Sequence, residues 1–335
     1  MAQQATTQTL TTPTEIPAEA EWHRLASARG RRMLHVQAGI LRHVRAVLDE
    51  AACLEALPPI MGPVTDPGTR GAKQGTVDYY GERYKLMSSA ILYKQLLLWG
   101  TERAYLVAPC IRLEPHETAG TGRHLTEFFQ VDVELRDGRL EDAVDLAEHL
   151  IREVVGRIWE THADDLEALG APHWDLARPF VRLTHAEAVA RLAELGYEMP
   201  PHAEIPWEGE KILSAASDVP VIIQRYPRGS RGFYDREDPD EPGILLDFDV
   251  LYPGGFGEAV SGAEREHDLG RVVGRMREAG EDVRKYGWYL EMLRDGCPAS
   301  AGFGIGVERL TRFVCGFDSV TDARPYPKVA GQVSP

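Results

Sequence analysis

The chain has 335 residues, 43% hydrophobic and 27% charged, with 37 basic side chains against 52 acidic ones and a formal net charge of −15. Such a length accommodates one large domain or two smaller ones, and the composition excludes wholesale disorder or a fibre. The acidic balance argues against a protein that lives on nucleic-acid phosphates, each of which needs a cation, but it leaves room for a local basic groove.

Residues 1–20 are rich in Thr, Gln and Ala, with neither a basic start nor an apolar run. They read as a disordered leader rather than a signal peptide. Over 22–51, Met33, Val36, Ile40, Val44 and Val47 recur at helical spacing, and Leu57-Pro58-Pro59 closes this unit. Gly, Asp and aromatic residues suit 71–84 to a hairpin, and 92–99 reads as a short apolar helix. Two strands, "AYLVAPCIRLE" and "EFFQVDVEL", follow over 104–135, joined by a polar loop. In the second, Phe129, Val131, Val133 and Leu135 alternate with Gln130, Asp132 and Glu134, and the ordinary place for such a polar face is solvent.

Beyond residue 140, Val144, Ala147, Ile151, Val154 and Ile158 mark a strong amphipathic helix. A less regular part, 174–219, holds one helical stretch at 186–195. "PVIIQRYP" and "GILLDFDVLYP" read as strands, 269–279 and 283–293 as helices, and "AGFGIGVERLTRFVCG" as a glycine triplet before an apolar helix. Mixed elements with hairpin signals predict an α+β fold, an antiparallel sheet flanked by helices, rather than a doubly wound one. Cys53, Cys110, Cys297 and Cys315 lack C-x-x-C spacing and are expected to be reduced thiols. With no apolar run of membrane length, the expected location is the cytoplasm.

Three constellations carry chemistry. Arg112, Glu114, Arg123, His124, Glu127, Gln130, Asp132 and Glu134 share one hairpin, a costly set to bury unless it cradles a polyanion and an ammonium group. In "LDFDVLYPGGFGEAVSGAERE", Asp249 and Glu258 are oxygen donors suited to one hard cation such as Mg²⁺ holding phosphates, and Arg265 follows. A bare glycine triplet is weak evidence of function, but "GFGIGVERL" places Arg309 directly behind it.

Together these segments resemble the catalytic core of class II aminoacyl-tRNA synthetases, specifically the aspartyl/asparaginyl branch, from about Trp22 to Pro335. "CIRLE" with "GRHLTEFFQVDVEL" is similar to motif 2, "GFGIGVERL" to motif 3, and "LPPI", more weakly, to the dimer-forming motif 1 with Pro58 at its proline. The resemblance implies ATP and Mg²⁺ as cofactors and a homodimer. It implies Arg112 on the α-phosphate, Glu114 and Phe128 on adenine, and Arg123, His124 and Arg309 on the outer phosphates. Asp249 and Glu258 would bind the metal, and Asp132 the substrate ammonium. Lys94 and Arg265 match cations that grip a carboxylate in aspartyl enzymes, with Gln130 and Ser261 alongside.

The sequence departs from that pattern around the amino-acid site, where the usual "QSPQ" is "SSAI" over 88–91 and the usual His is Ser300. With the core starting so near residue 20, the expectation is a single catalytic domain over 21–335 with no anticodon-binding barrel. The resulting reading is a free-standing asparagine synthetase that activates aspartate as an adenylate and amidates it with ammonia. On that reading tRNA is an unlikely partner. The alternatives are nitrile-forming dehydration of asparagine, a tRNA-dependent aspartyl/asparaginyl ligase, and an inactive paralogue.

Overall fold

The computed structural model of the protein describes residues 21–67 and 71–332. The leader expected over 1–20 lies outside the described residues. The first predicted helix is two, α1 (Glu21–Ala26) and α2 (Ala28–Glu50). They part at Ser27, whose hydroxyl accepts from the Gly30 N–H at 3.0 Å, satisfying a first-turn donor that the helix itself cannot. Along α2 the stripe Met33, Val36, Ile40, Val44 and Val47 is buried, as its spacing requires.

Short strands β1 (Leu54–Glu55) and β2 (Met61–Gly62) precede the hairpin β3 (Thr76–Tyr79) and β4 (Glu82–Leu86). Helix α3 (Ile91–Leu97) leads into the long pair β5 (Arg103–Ile111) and β6 (Glu127–Arg136), and α4 (Leu140–Leu169) follows. The irregular part resolves into β7 (Val181–Thr184), α5 (His185–Glu194) and α6 (Trp207–Ala215), the last without a sequence forecast. Then come β8 (Val221–Gln224), β9 (Asp247–Tyr252), β10 (Gly257–Glu264), α7 (Leu269–Glu278), α8 (Gly287–Arg294), β11 (Ser300–Gly306) and α9 (Val307–Cys315).

Eight strands form one sheet in the order β1-β5-β6-β11-β10-β9-β8-β7. Its edge pairs, β1–β5 and β7–β8, are parallel and every pair between them is antiparallel. This is the expected α+β architecture. The glycine triplet is not a turn: it is the central strand β11, with Gly302 opposite Glu134 and Gly304 opposite Asp132. A Cβ at 302 would stand 2.1 Å from Glu134 Oε2, and one at 304 would stand 3.0 Å from Asp132 Oδ1. Glycine is required at 302, where a carboxylate and a backbone carbonyl of β6 leave no room, and eases the fit at 304, where only side-chain tips approach.

The two faces of β6 have different fates. Val131, Val133 and Leu135 pack with Phe248, Val250, Phe303 and Ile305 against buried residues of α2, α4 and α9. Asp132 and Glu134, on the other face, are 2% and 0% exposed. The solvent expected for that face is replaced by α3 and by a second apolar cluster that includes Leu92, Phe233, Tyr234, Val272, Met276 and Tyr289. Among the described residues no helix is long and apolar enough to cross a membrane.

Candidate active site

A cavity of about 540 Å³ opens over this polar face. Lys94, Arg112, Glu114, Arg123, His124, Phe128, Gln130, Asp132, Glu258, Ser261, Arg265 and Arg309 all line it. Asp249 and, of the hairpin constellation, Glu127 and Glu134 are not among its lining residues.

One wall is cationic. Arg112 leaves the end of β5, donates from Nε to the Ser88 carbonyl at 3.1 Å and lies 5.1 Å from the Phe128 ring centroid. Arg309, in the first turn of α9, donates to the Glu258 carbonyl at 2.9 Å and pairs with its carboxylate at 3.1 Å. Arg123 pairs with Glu210 of α6 at 2.7 Å, while its Nε and Nη1 are buried with no hydrogen-bond partner. These positive groups repel further charge. Burial, with help from Arg309 and Arg123, takes the His124 imidazole down to about 4, and its Nδ1 lies 2.7 Å from Thr121 Oγ1. Arg312 behind them falls to about 10, through burial first and then Arg123 and Arg309. Burial raises the Glu114 carboxyl against the pull of Arg112 and Arg309.

The floor is a closed ionic network. The Lys94 ammonium donates to Asp132 Oδ1 at 3.2 Å and to the Val133 and Phe303 carbonyls at 3.1 and 2.9 Å. Arg265 donates to Glu134 from Nε at 3.0 Å, to Asp235 from Nη1 at 3.2 Å, and to the Gly302 carbonyl at 2.8 Å. Ser300, which stands where the family's histidine was expected, donates to Glu134 Oε1 at 2.8 Å. Asp132 Oδ2 is buried without a hydrogen-bond partner. In "SSAI", Ser88 turns away to the Asp66 carbonyl at 2.9 Å, while Ser89 and Ile91 reach the cavity.

The expected metal pair does not converge. Asp249 is 1% exposed, and Arg231 grips its oxygens at 3.0 and 2.6 Å. Both carboxylates are paired with a guanidinium, Asp249 with Arg231 and Glu258 with Arg309 at 3.1 Å, but of the two only Glu258 lines the cavity. Sequence reasoning missed Asp66, Glu210, Arg231 and Asp235. Arg231 and Asp235 sit in "RGFYD", where a charged residue on either side of an aromatic pair was a signal. Glu210 offered none among the many acids of its neighbourhood.

An antiparallel sheet with an arginine-lined cavity between a hairpin and a glycine-bounded helix defines a class II synthetase core. The family model of class II tRNA synthetases (D, K and N) matches residues 13–330. The chain is 34% identical over 326 residues to an asparagine–tRNA ligase of Sorangium cellulosum, covering 93% of the chain and 72% of that relative. It is 35% identical over 346 residues to an aspartate–tRNA(Asp/Asn) ligase of Thermus thermophilus, covering 97% and 78%. An asparaginyl-tRNA synthetase of Pyrococcus horikoshii, solved with asparaginyl-adenylate, superposes with a TM-score of 0.90 at 28% identity, over 96% of this chain and 74% of that one. The chain belongs to the class II tRNA synthetases of the D, K and N group, and is an ATP-dependent, AMP-forming ligase.

These relatives correct two expectations. They are named for ligation to tRNA, not for making free asparagine, so the ammonia-dependent synthetase reading falls, and the exclusion of tRNA as a partner falls with it. Nitrile formation has no support among them. The error is physical: net charge sums over the whole surface and says nothing of a cavity where Arg112, Arg123 and Arg309 gather.

Proposed function

We propose that this chain is a tRNA-dependent ligase of the aspartyl/asparaginyl branch, which activates aspartate or asparagine with Mg²⁺-ATP and passes the acyl group to tRNA. The substrate's α-carboxylate oxygen attacks the α-phosphorus, pyrophosphate leaves, and a tRNA hydroxyl then attacks the adenylate carbonyl to release AMP. No nucleophilic side chain is needed, because positioning and charge neutralisation carry both steps.

One observation carries this reading: three arginines and an unpartnered carboxylate oxygen, Asp132 Oδ2, share a single cavity. Arg112 would neutralise the α-phosphate as the phosphorus becomes five-coordinate, with Arg309, Arg123 and His124 on the leaving pyrophosphate. Phe128 and Glu114 would hold adenine, Asp132 the substrate ammonium, and Gln130 and Ser261 would complete the amino-acid wall. Of the two expected carboxylates, Glu258, which lines the cavity, would meet a nucleotide-bound Mg²⁺, which would supply further neutralisation of phosphate charge. The same reading includes a homodimer, for which exposed Leu57 and Ile60 beside Pro58 supply apolar surface.

The test is amino-acid-dependent ATP–pyrophosphate exchange followed by charging of unfractionated tRNA with labelled aspartate or asparagine. Exchange and charging support the reading. Exchange with no charging of any tRNA removes its second half. Arg112→Ala is expected to lower exchange about 10²- to 10³-fold, as loss of a transition-state donor does.

A further inference from the structure

The cations that were expected to grip a substrate carboxylate already spend most of their donors within the chain, all three of Lys94 and four of the five of Arg265. Lys94 has three ammonium hydrogens and three acceptors within 3.2 Å, and Glu134 Oε2 lies a further 3.4 Å away. Arg265 spends Nε and Nη2 on Glu134 and the Gly302 carbonyl, and Nη1 on Asp235. Lys94 and Arg265 are thus held by three carboxylates, those of Asp132, Glu134 and Asp235, and Asp132 and Asp235 also line the cavity. The next cation along the wall, Arg231, is held by Asp249, Asp247 and Glu204. On the floor three carboxylates therefore face two cations.

Asp235 tips this balance. It follows Phe233 and Tyr234 of the second core cluster, so its backbone is anchored by packing. It also forms an antiparallel bridge with Arg265, which sets the carboxylate beside that guanidinium rather than out in the cavity mouth. A third carboxylate delivered by a substrate side chain would compete with Asp235 and Glu134 for one guanidinium in a place where charge is poorly solvated. A neutral amide meets no such repulsion. Its carbonyl takes an Arg265 donor, and its NH₂ finds carboxylate acceptors.

We propose that Asp235 is a specificity-determining residue: by occupying Arg265 it makes the amino-acid pocket select an amide side chain over a carboxylate. The inference rests on the aspartyl/asparaginyl reading above and sharpens it to asparagine. It also explains why Lys94 does not mark an aspartate site. The lysine's carboxylate partners belong to the chain itself.

The test is calorimetric titration of the full chain with two non-hydrolysable adenylate mimics, asparaginyl- and aspartyl-sulfamoyl adenosine. The wild type is expected to bind the asparaginyl mimic at least about ten-fold more tightly, a modest value for a site built around hydrogen-bond donors of the substrate. Asp235→Asn is expected to close that gap about ten-fold, by gaining affinity for the aspartyl mimic while AMP affinity stays the same. A wild type that prefers the aspartyl mimic, or treats the two alike, overturns the proposal whatever the variant does. So does a variant that loses both mimics equally. If neither mimic binds, the adenylate reading falls and takes this inference with it. If the preference holds but no tRNA is charged, only the tRNA step is lost.

Discussion

Arg123 and Glu210, 87 residues apart in the chain, meet at 2.7 Å on the wall of the cavity. The same Glu210 oxygen accepts the Glu258 N–H at 3.2 Å, and the Arg123 guanidinium lies flat against Gly257, where a Cβ would stand 3.0 to 3.1 Å from three of its atoms. One carboxylate of α6 thereby fixes both a cavity-lining arginine and the start of β10. Glu210→Ala is expected to raise the KM for ATP about ten-fold, the scale of a lost charge-assisted hydrogen bond, with little change in the KM for the amino acid. Pyrophosphate-exchange kinetics with each substrate varied in turn separate this from general damage, which would move both constants.

His124 supplies a pH dependence with a definite sign. Its folded-state value of about 4 lies below the 6.5 of a free imidazole, so between those limits the unfolded chain binds more protons. Stability contributed by the neutral ring is therefore present above about pH 6.5 and lost as pH falls toward 4. Urea unfolding across that range should show a shallower loss for His124→Gln than for the wild type. Saturating ATP should shrink the difference, because a triphosphate beside the ring favours its protonated form.

Two glycines of β11 separate folding from binding. Gly302→Ala places a methyl 2.1 Å from Glu134 Oε2 and 2.2 Å from the Val133 carbonyl, and backbone cannot yield as a side-chain tip can. Loss of soluble folded protein is expected. Gly304→Ala meets only Asp132 Oδ1 at 3.0 Å and the Gln130 amide at 3.5 Å. That variant should fold, with a weakened amino-acid KM and nearly normal ATP binding, as thermal melting and exchange kinetics would record.

Arg231 is the counter-charge of a buried acidic group. Its guanidinium stacks 3.7 Å from the Tyr226 ring centroid and pairs with Asp249, Asp247 and Glu204. Burial lifts the Asp247 carboxyl to about 7 even with Arg231 beside it. Removing the arginine leaves these charges unmatched, so Arg231→Met is expected to cost about 3–5 kcal/mol in chemical denaturation. Asp249→Asn in the same chain should restore part of that loss. Full additivity of the two changes would refute the pairing as the cause.

Legibility in the sequence followed the range of the interaction. The α2 stripe, the alternation of β6 and the amphipathic α4 are set by side chains a few residues apart, and these were read correctly. That Arg112, Arg123 and Arg309 share one cavity was legible as well, because they stand in short, unusual strings such as "GRHLTEFF" and "GVERL". Helix α6 was not legible. Its burial of Leu213 against Leu192, Val221 and Tyr226 depends on elements that the chain reaches by separate routes.

By itself the sequence determined an α+β catalytic core and a large part of the charged groups that line one cavity, since residue type and local period suffice for these, while Asp66, Glu210, Arg231 and Asp235 joined them only in the structure. Only the tertiary structure decided which charges remain available to a substrate. Lys94 and Arg265 are cations in either account, but their partners come from β6, β11 and the Asp235 segment, brought together across 30 to 209 residues of chain. A buried charge is defined by what neutralises it, and that is a property of the assembled network, not of any residue's neighbours in sequence.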